Sequence, residues 1–119
     1  MSMSLSQMQM LFAQNIAILI AKAPSLGYDG VTLGEGWRPP EMAAIYAKEG
    51  KGVVNSVHTL RLAQDLNLFM NGQLLTTVTA YEPLGTFWKG LHPLNRWGGD
   101  FTTHGPDSDH FSMTYGGVA

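Results

Sequence analysis

The sequence is 119 residues long, 45 % hydrophobic and 13 % charged, with a formal net charge of −2, and we expect residues 1–119 to form a single domain. Its seven Lys and Arg residues are scattered and form no basic patch, which argues against a nucleic-acid-binding protein. Because it contains no cysteine, disulfides and thiolate metal ligands are excluded, and only His, Asp or Glu can bind a metal ion.

The first predicted element is a helix that begins after a cap at Ser4 or Ser6 and ends near Ala23. Its apolar residues recur at helical spacing and predict one buried face, formed by Met8, Leu11, Phe12, Ile16, Leu19 and Ile20. The longest apolar run, residues 16–21, is too short to span a membrane. Residues 21–23 have the small-x-small form of a signal-peptide cleavage site, but no Lys or Arg precedes the apolar run. We therefore expect residues 5–23 to be the first helix of the fold.

Two short elements are predicted next in the chain. Residues 30–33 lie in a Gly-punctuated segment and predict a short strand. Pro39 and Pro40 indicate the start of a second helix, predicted at residues 41–48, because proline is tolerated in the first turn of a helix.

Residues 60–69 alternate between apolar and polar side chains, which is the period of a half-buried strand. Leu62, Leu66 and Leu68 would face the core, and Asp65 would face the other way. The Asn-Gly pair at 71–72 is a strong turn signal and predicts a return strand at residues 74–78.

The remaining third of the sequence predicts one more helix and one more strand. Residues 81–91 are predicted to be helical, residues 92–108 to be irregular because they are rich in Gly, Pro and Asp, and residues 111–115 to form the last strand. Helices and strands do not alternate regularly. This order predicts an α+β fold with a small antiparallel sheet and flanking helices.

Two polar clusters stand out against this weakly charged background. One contains His58 and Asp65, and the other contains Asp107, Asp109 and His110. A catalytic zinc site takes three nitrogen or oxygen ligands and keeps one position open, and two His with one carboxylate meet that count. A lone His is more often a structural hydrogen-bonding residue, so this interpretation depends on the whole set.

The spacing of the ligands imposes a structural condition. His58 and Asp65 are seven residues apart, so they would point to opposite faces of one continuous strand. They can converge only if residues 56–60 form a loop and the strand begins afterwards. Hydrolysis also needs a base near the metal, and both Asp107 and Asp109 flank His110. Composition alone does not choose between these two carboxylates.

The spacing Ser56-x-His58, then Asp65, then Asp107-x-x-His110 resembles the D-alanyl-D-alanine carboxypeptidase and L-alanyl-D-glutamate endopeptidase family. These are zinc peptidases, many of them phage endolysins, whose small α+β fold is shared with lysostaphin-type peptidases and the hedgehog signalling domain. Residues 36–41 (Gly-Trp-Arg-Pro-Pro-Glu) look like the family's upstream Arg segment, and residues 97–101 (Trp-Gly-Gly-Asp-Phe) resemble its Trp-Gly-Gly segment.

The resemblance implies a role for each of these residues. Zn2+ would be bound by His58, Asp65 and His110. The family's catalytic carboxylate lies three residues before the last His, which selects Asp107 over Asp109 as the base. The resemblance further implies that Arg38 positions the substrate and polarises the reacting carbonyl. Ser56 and Trp97 are candidate substrate contacts, Ser56 being equally typical of a turn and Trp97 having Gly neighbours that would leave its face accessible.

Three departures from the family pattern concern the site. Arg61 stands where many members have Gly, Asp107 stands where many have Glu, and Ser112 replaces an acidic or amide residue two positions after the last His. The shorter Asp107 would bring the attacking water closer to the metal loop.

The expected substrate is a peptidoglycan stem peptide, cleaved by an endopeptidase or trimmed by a carboxypeptidase. We expect a monomeric zinc peptidase catalytic domain without a convincing signal peptide, made in the cytoplasm and acting on the cell wall after release or export. The alternative is a catalytically inactive, zinc-containing module that binds cell-wall peptides.

Overall fold

The computed structural model describes residues 3–53 and 55–119. In this part of the chain three α-helices and five β-strands follow one another in the order α1 (Leu5–Lys22), β1 (Gly30–Leu33), α2 (Pro40–Lys48), β2 (Ala63–Met70), β3 (Gln73–Leu74), α3 (Val78–Leu91), β4 (Asn95–Trp97) and β5 (His110–Met113). Short 3₁₀ helices occupy Ala23–Leu26, Val57–Leu60 and Gly98–Asp100.

Helix α1 begins and ends as its sequence predicts. Ser4 is its cap: the Ser4 Oγ accepts a hydrogen bond from the Gln7 amide, and the Gln7 side chain accepts one from the Ser4 amide. This reciprocal arrangement satisfies two amides that a helix start otherwise leaves unpaired. The predicted apolar face is buried at Met8, Phe12 and Leu19. The prediction of this helix is therefore confirmed.

The strands form one antiparallel sheet in the order β1-β2-β5-β4, with the short β3 paired to β2. Every pairing is antiparallel, and β2 lies at the centre of the sheet. The α+β fold with a small antiparallel sheet and flanking helices is confirmed. None of the helices in the described ranges is long and apolar enough to cross a membrane.

The core lies where α1, α3 and the sheet meet around Trp88, which is fully buried. Its indole packs edge-on against Phe12 of α1 and Phe111 of β5, with ring centroids 5.6 Å and 6.2 Å away. The indole nitrogen donates to the backbone carbonyls of Arg96 and Ser112. Trp88 thus ties helices α1 and α3 to strands β4 and β5, and β5 begins with His110.

The element boundaries after the Asn71-Gly72 turn differ from the sequence-based expectation. The return strand after the Asn71-Gly72 turn covers only Gln73–Leu74, because Thr77 caps α3 by accepting a hydrogen bond from the Ala80 amide. The helix therefore begins at Val78 and not at residue 81. A threonine cap satisfies a free amide of the first turn and overrides the moderate strand preference of the preceding residues.

The segment predicted to be irregular at residues 92–108 contains strand β4 and a 3₁₀ turn. Strand β4 exists because it pairs with β5, with Asn95 opposite Met113 and Trp97 opposite Phe111. Such a three-residue strand is set by its partner and not by local propensity. Strand β5 is His110–Met113, so it begins one residue earlier and ends two residues earlier than predicted.

Candidate metal centre

His58 is placed by a short 3₁₀ helix that precedes the central strand. Ser56 begins this helix, and its Oγ accepts a hydrogen bond from the His58 amide at 3.2 Å. The chain then reverses at Arg61, which has a left-handed backbone (φ 57°), before β2 begins at Ala63. The condition set by the seven-residue spacing is therefore met, since His58 does not belong to the strand that carries Asp65.

Asp65 and His110 face each other across the sheet as register partners of β2 and β5. Directly opposed residues of an antiparallel pair bring their side chains close together. The sheet register thus joins the two sequence clusters that lie far apart in the chain.

The three side chains offer ligand atoms at the spacing that a metal ion requires. Asp65 Oδ1 lies 3.4 Å from His58 Nε2 and 3.5 Å from His110 Nδ1. Zinc bonds of about 2.0–2.1 Å in a tetrahedron put neighbouring ligands about 3.3 Å apart. Asp65 Oδ1 is also buried with no hydrogen-bond partner in the described part of the protein. The set could hold a metal ion, and its two imidazoles and one carboxylate suit zinc.

The protonation of His58 follows from its surroundings. Its Nδ1 is 2.7 Å from the Gly36 carbonyl oxygen, which can only accept, so Nδ1 carries the hydrogen and Nε2 is free for a metal. Burial lowers the pKa of His58, but Asp65, the Gly36 carbonyl and Glu35 outweigh burial and raise it. For the carboxyl group of Asp65, burial raises the pKa. His110 and His58 outweigh burial and lower the pKa of Asp65 to about 2.

Asp107 lies at the open side of this cluster. Its Oδ2 is 4.0 Å from His110 Nδ1, and its side chain is 56 % exposed. The Asp107 amide donates to the Gly98 carbonyl, and the Asp107 carbonyl accepts from the His110 amide. Gly98 is required for this turn, because a Cβ there would lie 2.0 Å from the Asp107 carbonyl oxygen. Partial burial and the nearby Asp109 and Asp65 carboxylates raise the pKa of Asp107 to about 7.

A cleft of about 1060 Å³ opens over the cluster, and its walls include Arg38, Ser56 and Asp107. The structure thus brings six of the seven predicted site residues to one cleft. Ser56 is buried at its edge and caps the helix that carries His58, and Arg38 is buried except for 12 % of its side chain. A second possible cation cluster among the described residues shares Asp65 and adds Asp107 and Asp109.

Trp97 is the predicted site residue that the structure does not place on the cleft wall. It is 3 % exposed, and its indole nitrogen donates to the Ser108 carbonyl at 2.8 Å. Gly85 and Gly99 lie against the ring so closely that a Cβ at either would be 2.2 Å from it. The two glycines therefore allow tight packing and do not leave the ring accessible, so Trp97 supports the segment at Asp107 and Ser108 from within the core.

Two groups next to the site were missed by the sequence-based interpretation, the Glu35 side chain and the Gly36 carbonyl. Glu35 forms an ion pair with Arg38, and its Oε1 lies 3.9 Å from His58 Nδ1. The three-residue spacing between Glu35 and Arg38 was not a signal for the pair, because such a spacing predicts a contact on a helix and residues 34–39 are not helical. No sequence signal marks the Gly36 carbonyl, because a backbone contact depends only on the path of the chain.

The raised pKa of Asp107 predicts a pH dependence for metal-free protein. The folded state keeps the Asp107 proton at pH values where the unfolded chain has lost it, so stability falls as pH rises from about 4 towards 7. The raised pKa of His58 also makes stability fall as pH rises, in a range that begins near 6.5. Asp107→Asn should therefore show a smaller fall in Tm between pH 5 and pH 8, measured calorimetrically with a chelator. Because Asp107 is partly exposed, solvent screening keeps the change in Tm small. The same fall in Tm in Asp107→Asn as in the wild type would show that Asp107 does not cause this pH dependence.

The arrangement of these helices around the antiparallel sheet is a fold already seen in a solved peptidase structure. The chain is similar to the crystal structure of the Serratia marcescens L-Ala D-Glu endopeptidase ChiX, with a TM-score of 0.71. The match covers 87 % of this chain and 77 % of that chain, at 18 % sequence identity. At this identity the similarity establishes the fold. No protein-family model matches the sequence, and no curated protein matches it significantly.

Proposed function

We propose that this protein is a zinc-dependent peptidase that hydrolyses peptidoglycan stem peptides. The observation that carries the proposal is the His58–Asp65–His110 cluster with the Asp107 carboxylate beside it in one cleft. The fold shared with an L-Ala D-Glu endopeptidase supports the same substrate class and the endopeptidase reaction. The sequence motifs quoted above support the same family.

The proposed reaction is hydrolysis of an amide bond in the cleft. When bound by His58, Asp65 and His110, zinc supplies Lewis-acid chemistry that makes a water more acidic and polarises a carbonyl. Asp107 accepts a proton from the attacking water and transfers it to the nitrogen of the leaving amine. The water oxygen bonds to the carbonyl carbon and the carbon–nitrogen bond breaks, so the products are a carboxylic acid and an amine.

Arg38 is the proposed electrostatic partner of the substrate carbonyl. Its guanidinium is nearly buried in the cleft wall, and its backbone amide donates to the His58 carbonyl, which keeps it close to the metal ligands. A fixed positive charge beside the reacting carbonyl stabilises the oxygen as negative charge develops on it.

Arg38→Lys tests this role because lysine keeps the charge but lacks the planar fork of hydrogen-bond donors. We expect a reduction in kcat of about 10²-fold, the scale for losing one donor to a developing oxyanion. Zinc content and Tm should stay close to the wild-type values. A Lys variant that hydrolyses substrate at the wild-type rate would show that Arg38 is an ordinary charged residue.

The bond that is cleaved can be identified by mass analysis of products from defined muropeptides incubated with zinc-loaded protein. An endopeptidase splits the stem between L-Ala and D-Glu, and this is the expected result. Loss of a single terminal D-Ala would instead assign a carboxypeptidase. Tight binding of the stem peptide without any product would favour the inactive binding module.

A further inference from the structure

Residues 34–38 contact the first two metal-ligand candidates through the backbone. The Gly34 amide donates to the Asp65 carbonyl, and the Asp65 amide donates to the Glu35 carbonyl, both at 2.8 Å. The Gly36 carbonyl accepts from His58 Nδ1 at 2.7 Å. The backbone of this segment is therefore fixed against the candidate metal centre.

The Glu35 side chain projects from this fixed segment and contacts Arg38. One oxygen, Oε1, accepts hydrogen bonds from Arg38 Nη2 and, at 3.1 Å, from Arg38 Nε. The ring of Tyr46 lies against the guanidinium, 5.1 Å from Cζ to the ring centroid. Glu35 is 30 % exposed and Arg38 12 % exposed, so the pair is partly shielded from solvent. A charge-assisted contact of this kind is stronger than a neutral hydrogen bond.

This contact uses one side of the guanidinium and leaves the other available. Within residues 3–53 and 55–119, Arg38 Nη1 has no hydrogen bond to the protein, whereas Nε and Nη2 are both bound to Glu35. Gly52 lies beside Nη1, and a Cβ at that position would be 3.4 Å from it. The Nη1 group is thus held at the cleft wall, with Gly52 beside it.

We infer that Glu35 is a positioning residue that holds the Arg38 guanidinium ready for the substrate. The inference rests on the proposed function, because it assigns Arg38 to the reacting carbonyl. A free arginine samples many rotamers and would lose that freedom when it binds the substrate. Because Glu35 and Tyr46 restrain the guanidinium beforehand, that loss is smaller and the donor is already oriented.

The effect of Glu35 on Arg38 can be separated from the metal centre. The Gly36 carbonyl, and not Glu35, accepts the His58 Nδ1 hydrogen at hydrogen-bond distance. Removing the Glu35 charge should therefore leave Nε2 of His58 available and the zinc content unchanged. A purely structural role for Glu35 would lower both stability and zinc content together with activity.

The orientation of Arg38 can be measured without any activity assay. The sequence holds three arginines, Arg38, Arg61 and Arg96, so a ¹H–¹⁵N spectrum contains few Nε–H signals, and Arg38→Lys assigns one of them. We expect the Arg38 Nε–H signal to be slowly exchanging in the wild-type protein. In Glu35→Gln it should shift and exchange faster. An unchanged Arg38 signal in Glu35→Gln would overturn the inference.

The kinetic test is a double-mutant cycle on zinc-loaded protein. Glu35→Gln should lower kcat/KM by about 10- to 10²-fold, the scale for misplacing a catalytic group. Added to Arg38→Lys, it should cause little further loss, because the two residues act as one unit. Glu35→Asp should recover part of the activity, and the exposed Glu41→Gln should match the wild type.

Each failure has its own signature. Additive losses in the cycle would overturn the role of Glu35 even if the wild-type protein hydrolyses stem peptides. Absence of hydrolysis by the wild-type protein would contradict the proposed function, and the Nε–H spectrum would still decide whether Glu35 fixes Arg38.

Discussion

Asp107→Asn is expected to reduce the turnover of a stem peptide by about 10²–10⁴-fold, the usual effect of removing a general base. Asparagine is nearly the same size as aspartate but cannot accept the proton of the attacking water. Asp107 is more than half exposed and its Oδ2 lies 4.0 Å from His110 Nδ1, outside the three close ligand atoms. Zinc content, measured by metal analysis, should therefore match the wild type, and the Tm of the zinc-loaded variant should stay close to that of the zinc-loaded wild type.

Asp109→Asn is the matched control for this experiment. Asp109 lies next to His110 in sequence, and its backbone carbonyl accepts from the Leu66 amide, a contact that the substitution leaves in place. The control should retain most of its activity. If Asp109→Asn is the inactive variant and Asp107→Asn the active one, the base is Asp109 and the role assigned to Asp107 is wrong.

The largest effect on metal binding is expected at the three candidate ligands. The purified protein should bind about one zinc ion per chain, and His58→Ala, Asp65→Ala or His110→Ala should each lose most of it. Zinc that binds only the folded state raises stability, by about 4 kcal/mol at a thousandfold excess over Kd. The Tm of the wild-type protein should therefore rise on zinc addition, whereas that of each variant should respond weakly. Metal analysis and calorimetry measure both effects.

His92→Ala is the control for these variants, because His92 lies at the end of α3 and outside the cluster. Its Nδ1 accepts a hydrogen bond from the Leu94 amide, so the substitution changes local structure but not the metal site. Full zinc occupancy in His110→Ala would contradict the assignment of His110 as a zinc ligand. Iron in place of zinc in the wild-type protein would also contradict it, since two His and one carboxylate can bind iron as well.

The parts of the fold that follow local rules were predictable from the sequence. The start of α1 depends on a cap at Ser4 and its buried face on helical spacing, and both signals lie within a few residues of each other. The central strand β2 was recognisable from its alternation of apolar and polar residues. These features need no knowledge of distant partners.

The parts that depend on distant partners were not predictable in the same way. Strand β4 is defined by its pairing with β5, and Asp65 meets His110 only because of the register of β2 against β5. The packing of Trp97 between Gly85 and Gly99 likewise joins segments that are distant in sequence. The role inferred for Glu35 required side-chain distances to both Arg38 and His58.

The motifs carried more information about the site than about the fold. The set of two His and one carboxylate predicted both the kind of metal ion and the residues that would bind it. The seven-residue spacing of His58 and Asp65 predicted a break before the strand. The short helix Val57–Leu60 and the reversal at Arg61 provide that break. The choice of Asp107 over Asp109 depended on the resemblance alone, so it remains a proposal for the two Asn variants to decide.

The measurement that tests the proposed function most directly is hydrolysis of a defined muropeptide by wild-type protein in three states. The protein is assayed as loaded with zinc, after removal of metal by a chelator, and after zinc is restored. We expect cleavage between L-Ala and D-Glu in the first state, its loss in the second and its recovery in the third. Cleavage that continues unchanged in the metal-free protein, or no cleavage in the zinc-loaded protein, would contradict a zinc peptidase at this site.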